Sequence, residues 1–166
     1  MTQSRPRPDP QKSLVGFAVG DINYAIPIGF VREIINPINL TRLPHLPDAI
    51  SGVADHRGEV IPIVDMRARF GVLHVDERRR SKWILVEMSG SKTVGLIVDR
   101  VTGVFGTGSG LRPAPALGGG EDVRGIVGVT SHADKMVFVL DVERIQALTE
   151  SMNLQDLQLA AGSSRG

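Results

Sequence analysis

Ser131, His132 and Asp134 are the residue types of a nucleophilic relay, and they sit within four positions of one another. A relay needs hydroxyl, imidazole and carboxylate held in line. Neighbours on one tight turn do not make that line, and residues 130–135 (TSHADK) read as a polar turn between two strands. Asp55, His56 and Asp65 are metal-ligand types, but nothing in the sequence orients them together, and Asp65 stands where a helix N-cap belongs. Gly90-Ser91-Lys92-Thr93 has the residue types that end a phosphate-binding loop. It lacks a glycine directly before the lysine and joins two strands rather than a strand and a helix, so it reads as a hairpin turn. The histidines, at 45, 56, 74 and 132, are scattered, and the chain has no cysteine, which removes thiolate metal sites, disulfides and cysteine nucleophiles. No catalytic, metal-ligating or cofactor-binding residue is assigned.

Two basic features remain. Arg78, Arg79, Arg80 and Lys82 form a cluster that Asp76 and Glu77 partly balance. Taken as a phosphate footprint, it would make the chain a small-barrel RNA-binding protein. Against that, aromatic residues are only 4% of the chain, which leaves little surface for stacking bases. A net charge of +1 gives no drive toward nucleic acid or an anionic membrane. Arg57 is different. It lies on a hairpin tip beside Gly58, where a long cation either pairs with a neighbouring carboxylate or reaches a partner. The sequence leaves both open.

The element that must position Arg57 runs from Gly52 to Phe70. Gly52 to His56 is a short strand, Arg57-Gly58-Glu59 a tight turn, and Val60 to Val64 a β-branched strand. Pro62 has no N–H to give to a ladder, which predicts an edge strand or a bulge. Asp65 then caps a helical turn, Met66 to Phe70. The same grammar returns about 75 residues later: strand 125–129, polar turn 130–135, strand 136–140, then Asp141 as the cap of a helix over 142–149. Two copies of one unit predict two similar subdomains.

The rest of the chain alternates short apolar runs with turn residues. Leu14 to Val19 and Ile22 to Ile28 flank Gly20-Asp21, a hairpin signal, with Pro27 at an edge position. Phe30 to Ile35 (FVREII) predicts a short helix stopped by Asn36-Pro37, with one apolar residue left at the surface beside Glu33. A proline-rich segment, 36–48, crosses the body, pinned by Leu40, Leu43 and Leu46. Residues 72–82 read as an exposed loop, 83–88 and 93–98 as a hairpin, and 101–105 as a further segment before a glycine-rich stretch. Residues 1–13 are polar and Pro-rich, without the apolar core of a signal peptide, and are expected to be disordered; 151–166 are expected to be weakly helical to disordered. No apolar run approaches the ~18–20 residues of a spanning helix, so no membrane insertion is expected. A 166-residue chain that is 42% hydrophobic can bury a core without staples. The expectation is an all-β barrel or sandwich of about ten short strands with two or three short helices, and the repeat favours two small barrels over one large one.

Several collinear stretches resemble the CheW family of chemotaxis coupling proteins. They are Val31-Arg32-Glu33-Ile34-Ile35, Ile50-Ser51-Gly52-Val53, residues 57–67 (RGEVIPIVDMR), residues 94–101 (VGLIVDRV), residues 111–115 (LRPAP) and 136–141. Together they span about residues 14–150. The resemblance implies two SH3-like five-stranded barrels packed around a common hydrophobic core, with short helices including one near the C-terminus. It implies no catalysis and no cofactor. Family members are cytoplasmic and bridge a chemoreceptor's cytoplasmic tip to the regulatory domain of a CheA-type histidine kinase in arrays of membrane-bound or cytoplasmic receptors. The positions matching the family's receptor-binding surface are Val31, Glu33, Gly52, Arg57, Val98 and Val101. Asp55-His56 departs from the Asn-Leu usual before the arginine. A diverged scaffold that binds a receptor and not the kinase is the alternative that this departure raises.

Overall fold

The computed structural model describes residues 13–46, 50–69, 81–88, 90–107, 110–113 and 125–145. The strands are β1 (Ser13–Val19), β2 (Ile22–Pro27), β3 (Val31–Ile35), β4 (Ile50–His56), β5 (Glu59–Asp65), β6 (Lys82–Met88), β7 (Lys92–Val98), β8 (Arg100–Gly106), β9 (Ile126–His132) and β10 (Lys135–Leu140). A 3-10 turn, Ile28–Phe30, enters β3, and helical turns α1 (Met66–Arg69) and 142–145 follow β5 and β10.

The strands divide into two five-stranded sheets, ordered β8-β1-β2-β10-β9 and β3-β6-β7-β5-β4. The sheets are built alike. In each, one parallel junction (β2 with β10, β7 with β5) joins otherwise antiparallel neighbours. Each also gains an isolated antiparallel bridge from its crossing segment, Thr41 with Val53 in one and Arg112 with Val129 in the other. The repeat expected from the two strand–turn–strand–cap units is therefore present. Both caps are made: the Asp65 carboxylate accepts from the Arg67 N–H at 2.9 Å, and the Asp141 carboxylate from the Glu143 N–H at 3.0 Å.

The core has three parts, and strand alternation sorts residues among them. From β1, Val15, Phe17 and Val19 enter a core shared by both barrels, while Leu14 enters that barrel's own interior. From β6, Ile84, Val86 and Met88 enter the shared core, while Trp83 and Leu85 pack inside the second barrel. The shared core also takes Tyr24 and Ile26 from β2, Val94, Leu96 and Val98 from β7, and Val142 and Ile145 from the last helical turn. The strands at the junction are thus buried on both faces, which is why they read as unbroken apolar runs.

A polar clamp fixes the barrels to each other. Asp99, between β7 and β8, accepts from the Arg67 guanidinium with one oxygen and from the Gly20 N–H with the other, at 2.6 Å for the latter. Its own N–H donates to the Ala18 carbonyl at 2.9 Å. One residue so ties α1 of the second barrel to the β1–β2 turn of the first.

Two expectations are corrected. FVREII forms no helix: Ile28–Phe30 is a 3-10 turn and Val31–Ile35 is β3, paired with β6. Its three β-branched residues suit a pleated ladder better than a two-turn helix that Pro37 would cut short. The surplus apolar residue beside Glu33 is Ile34, 41% exposed. Pro27 and Pro62 do not lie on edge strands either, since β2 and β5 are internal, although the β4–β5 ladder does bulge beside Pro62, between Ile50 and Gly52. The parallel ladder of β5 begins only at Ile63, and that of β2 covers only Asn23–Ala25. Val53, opposite Pro62, gives its N–H and carbonyl to Thr41 on its other side, so the Val53–Pro62 pair exchanges no hydrogen bonds. Neither proline is asked for an N–H. The 72–82 loop up to residue 80, the glycine link at 118–120 and the terminal segments lie outside the described residues.

Candidate protein-binding site

The outer strands of the second sheet are β3 and β4, and side chains close the barrel where they meet. Between Val31 and Glu33 the register with β6 slips by one residue, leaving Arg32 as the extra residue of a bulge. The bulge lets both Arg32 and Glu33 reach the β4–β5 hairpin. Arg32 donates to Glu59 at 2.8 Å and to the Thr93 hydroxyl at 2.9 Å. The hydrogen bond to Glu59 and the charge of that carboxylate hold the Arg32 guanidinium above its ordinary pKa against some desolvation, so it stays charged. Glu33 accepts from Arg57 with Oε1 and meets His56 Nε2 with Oε2, each at 3.1 Å.

The hairpin tip is shaped for this. Arg57 and Gly58 take φ of 53° and 82°, the pair of positive values of a type I′ turn, and the Asp55 carboxylate accepts from the Gly58 N–H at 2.9 Å. The Arg57 side chain is 74% exposed even while paired. Of the two options the sequence left for this arginine, pairing with a carboxylate is realised, and the guanidinium still faces outward.

Val31 and Val101 are half-buried and pack on the shared core, one at the start of β3 and the other at the start of β8, corresponding positions in the two barrels. They are where the shared core nears the surface. Val98 is fully buried in that core. Gly52 is buried too, and a side chain there would put its Cβ 2.2 Å from the Thr41 carbonyl oxygen. Gly52 and Val98 therefore lie beneath the surface, while Glu33 and Arg57 meet at the β3–β4 seam with Val31 on the same strand, and Val101 stands on β8 of the other sheet.

The remaining candidates are engaged elsewhere. Ser131 accepts from Arg112 at 3.3 Å, and the His132 ring lies on Phe105 with centroids 4.0 Å apart, so no relay with Asp134 is formed. Asp55, His56 and Asp65 each serve a separate contact, as above. Lys82 bonds the Asn36 side chain, and Arg78–Arg80 lie outside the described residues. Among the described residues, no helix is long and apolar enough to cross a membrane. Sequence reasoning missed Arg32 and His56 as members of the edge and missed Asp99 as a clamp. The partners of their side chains lie 23 to 79 positions away, beyond any local pattern.

Two SH3-like barrels fused through a common core, with a charged seam and an apolar margin on one side, define an all-β double-barrel scaffold. A family model described as CheW-like domain matches residues 13–150. The chain is 32% identical over 133 residues to the chemotaxis protein CheW of Helicobacter pylori, covering 79% of each protein. It is 31% identical over 141 residues to that of Klebsiella aerogenes, covering 84% of each. Protein FrzA of Myxococcus xanthus is 33% identical over 123 residues, 72% of this chain and 74% of that one. The crystal structure of the scaffolding protein TtCheW from Thermoanaerobacter tengcongensis matches with a TM-score of 0.70 at 28% identity, over 79% of this chain and 89% of that chain. The chain belongs to the CheW-like family of chemotaxis scaffold proteins.

Proposed function

We propose that this chain is a non-enzymatic adaptor that couples chemoreceptors to a CheA-type histidine kinase in a bacterial chemosensory array. The receptor's cytoplasmic tip, a helical hairpin, would lie along the edge formed by Val31, Val101, Glu33 and Arg57, with Gly52 and Val98 setting its shape from below. The observation that carries this reading is the joint placement of Glu33 and the outward-facing Arg57 on one seam. Val31, where the shared core nears the surface, stands two positions along the same strand. That is the chemistry of a helix-in-groove site: a shallow apolar seat gives affinity, and rim charges set register. The similarity to chemotaxis proteins over most of the chain supports the same reading.

The test is capture, by this protein, of a receptor cytoplasmic fragment and separately of a CheA regulatory domain. Wild type is compared with Glu33→Lys and Arg57→Glu, and folding of each variant is checked by circular dichroism. The expected result is binding to both partners, with the receptor arm lost in the two charge reversals. Receptor binding without kinase binding marks a diverged scaffold that links receptors to something else. Binding to neither overturns the reading.

A further inference from the structure

The Glu33 carboxylate is held at both oxygens, and the exposure of the three side chains rises outward: His56 13%, Glu33 30%, Arg57 74%. Glu33 Oε2 is an acceptor, so the His56 Nε2 that faces it at 3.1 Å carries the hydrogen. His56 thus stands behind Glu33, and Glu33 stands behind Arg57. A guanidinium has five donors, and one bond to Glu33 leaves others on the solvent side.

The first barrel supplies an internal comparison. Its seam brings β9 to β8 as this one brings β4 to β3, and His132 occupies the place of His56 at the end of its strand. There the imidazole lies flat on Phe105, 9° from parallel, and the next residue is Ala133 rather than an arginine. Among the described residues, that seam shows this stack and no ion pair. Closing a barrel of this type therefore does not require a histidine–glutamate–arginine chain, and the polar version in the second barrel calls for another reason.

We propose that His56 is a positioning residue for partner recognition. It holds the Glu33 carboxylate, which aims the Arg57 guanidinium, so that the chain presents an oriented cationic fork and selects a partner carrying a carboxylate on its apposed helical face. This rests on the reading of the seam as the receptor-facing edge. The physical gain is preorganisation: a free arginine gives up much rotamer freedom on binding, and one already anchored gives up less.

The experiment measures affinity for a soluble chemoreceptor signalling fragment, and for the same fragment with the acidic residues of its tip changed to amides. His56→Leu is expected to weaken binding of the first fragment about five- to tenfold, less than the full worth of one hydrogen bond to a charged group because His56 acts on the partner only through the aim of Arg57. His56→Gln, which keeps an N–H donor, is expected to restore it. In an Arg57→Ala background, His56→Leu is expected to change nothing further. Against the amide fragment the difference between wild type and His56→Leu disappears. The Arg57 side-chain Nε–Hε signal in nuclear magnetic resonance is expected to be dispersed in wild type and His56→Gln and averaged in His56→Leu. Wild-type affinity in His56→Leu, failure of His56→Gln to rescue, or an equal loss in the Arg57→Ala background overturns this proposal while the adaptor reading stands. Failure of wild type to bind the fragment overturns that reading, and this proposal with it.

Discussion

Removing the Asp99 carboxylate should loosen the joint between the barrels. Asp99→Ala takes away the acceptor of the Gly20 N–H and the charged partner of Arg67, whose side chain is only 10% exposed. A hydrogen bond to a charged group contributes about 1.5–3 kcal/mol, and a donor stripped of its acceptor in a half-buried site costs about a further 1 kcal/mol. Water reaches the turn at Gly20, which offsets part of that, and the expected loss is about 3 kcal/mol. In urea, with a slope near 1.5–2 kcal/mol per molar for a chain of this size, the unfolding midpoint should fall by about 1.5–2 M with its slope unchanged. Asp99→Asn keeps an acceptor for Gly20 but not the charge, and should lose about half as much.

Two probes report on the two barrels separately. Trp83, the only tryptophan, is buried inside the second barrel, and Tyr24 lies in the first at the margin of the shared core. Both transitions should move together, because the clamp spans the joint. A loss below about 0.5 kcal/mol would refute the reasoning, as would Asp99→Ala and Arg67→Ala effects that simply add.

Gly52→Ala meets the Thr41 carbonyl oxygen at 2.2 Å from a backbone φ of 154°, so it should cost at least about 2 kcal/mol and lower Tm by roughly 6 °C or more. Gly128→Ala, its counterpart, meets the Leu111 side chain at 2.7 Å and should cost less, because that side chain can turn away. Thr130 is buried with its hydroxyl unbonded, so Thr130→Val should leave stability equal or raise it by up to about 1 kcal/mol, measured by the same urea titration. Leu96→Ala, in the shared core, should cost about 2–5 kcal/mol and should shift the Trp83 and Tyr24 transitions equally.

The fold was legible in the sequence where local chemistry decides it. Gly20-Asp21 and Arg57-Gly58 are hairpin turns because only a few residue types accept their backbone angles, and Asp65 and Asp141 cap helical turns because their side chains can reach an N–H two residues on. FVREII was misread because spacing alone cannot tell a short helix from a strand whose register slips at Arg32. Val98 shows the same limit from the other side: nothing in its own segment says which face meets the first barrel and is sealed there. The candidate site was legible as single residues and illegible as an assembly. Arg57 stood out by type and place and Glu33 by its match to the family, but His56 joins them only because the outer strands of one sheet come together, and that closure is written in the order of the strands.

That order also explains why the chain has a joint to stabilise at all. The halves β1–β5 and β6–β10 correspond strand for strand, yet neither half makes its own barrel. The hairpin β1–β2 completes the barrel of β8, β9 and β10, and the hairpin β6–β7 completes that of β3, β4 and β5. Each half lends its first hairpin to the other. The lent strands are the ones buried on both faces, and they carry most of the shared core. What stays outermost in each sheet is β3 with β4, or β8 with β9, and those strands leave open seams at which side chains must close the barrel. A seam is thus a place where polar residues can be varied without disturbing either the ladders or the shared core. One copy closes through a His132–Phe105 stack, and the other has taken up Glu33, His56 and Arg57. A binding edge could diverge at this position while the exchanged hairpins held the scaffold unchanged.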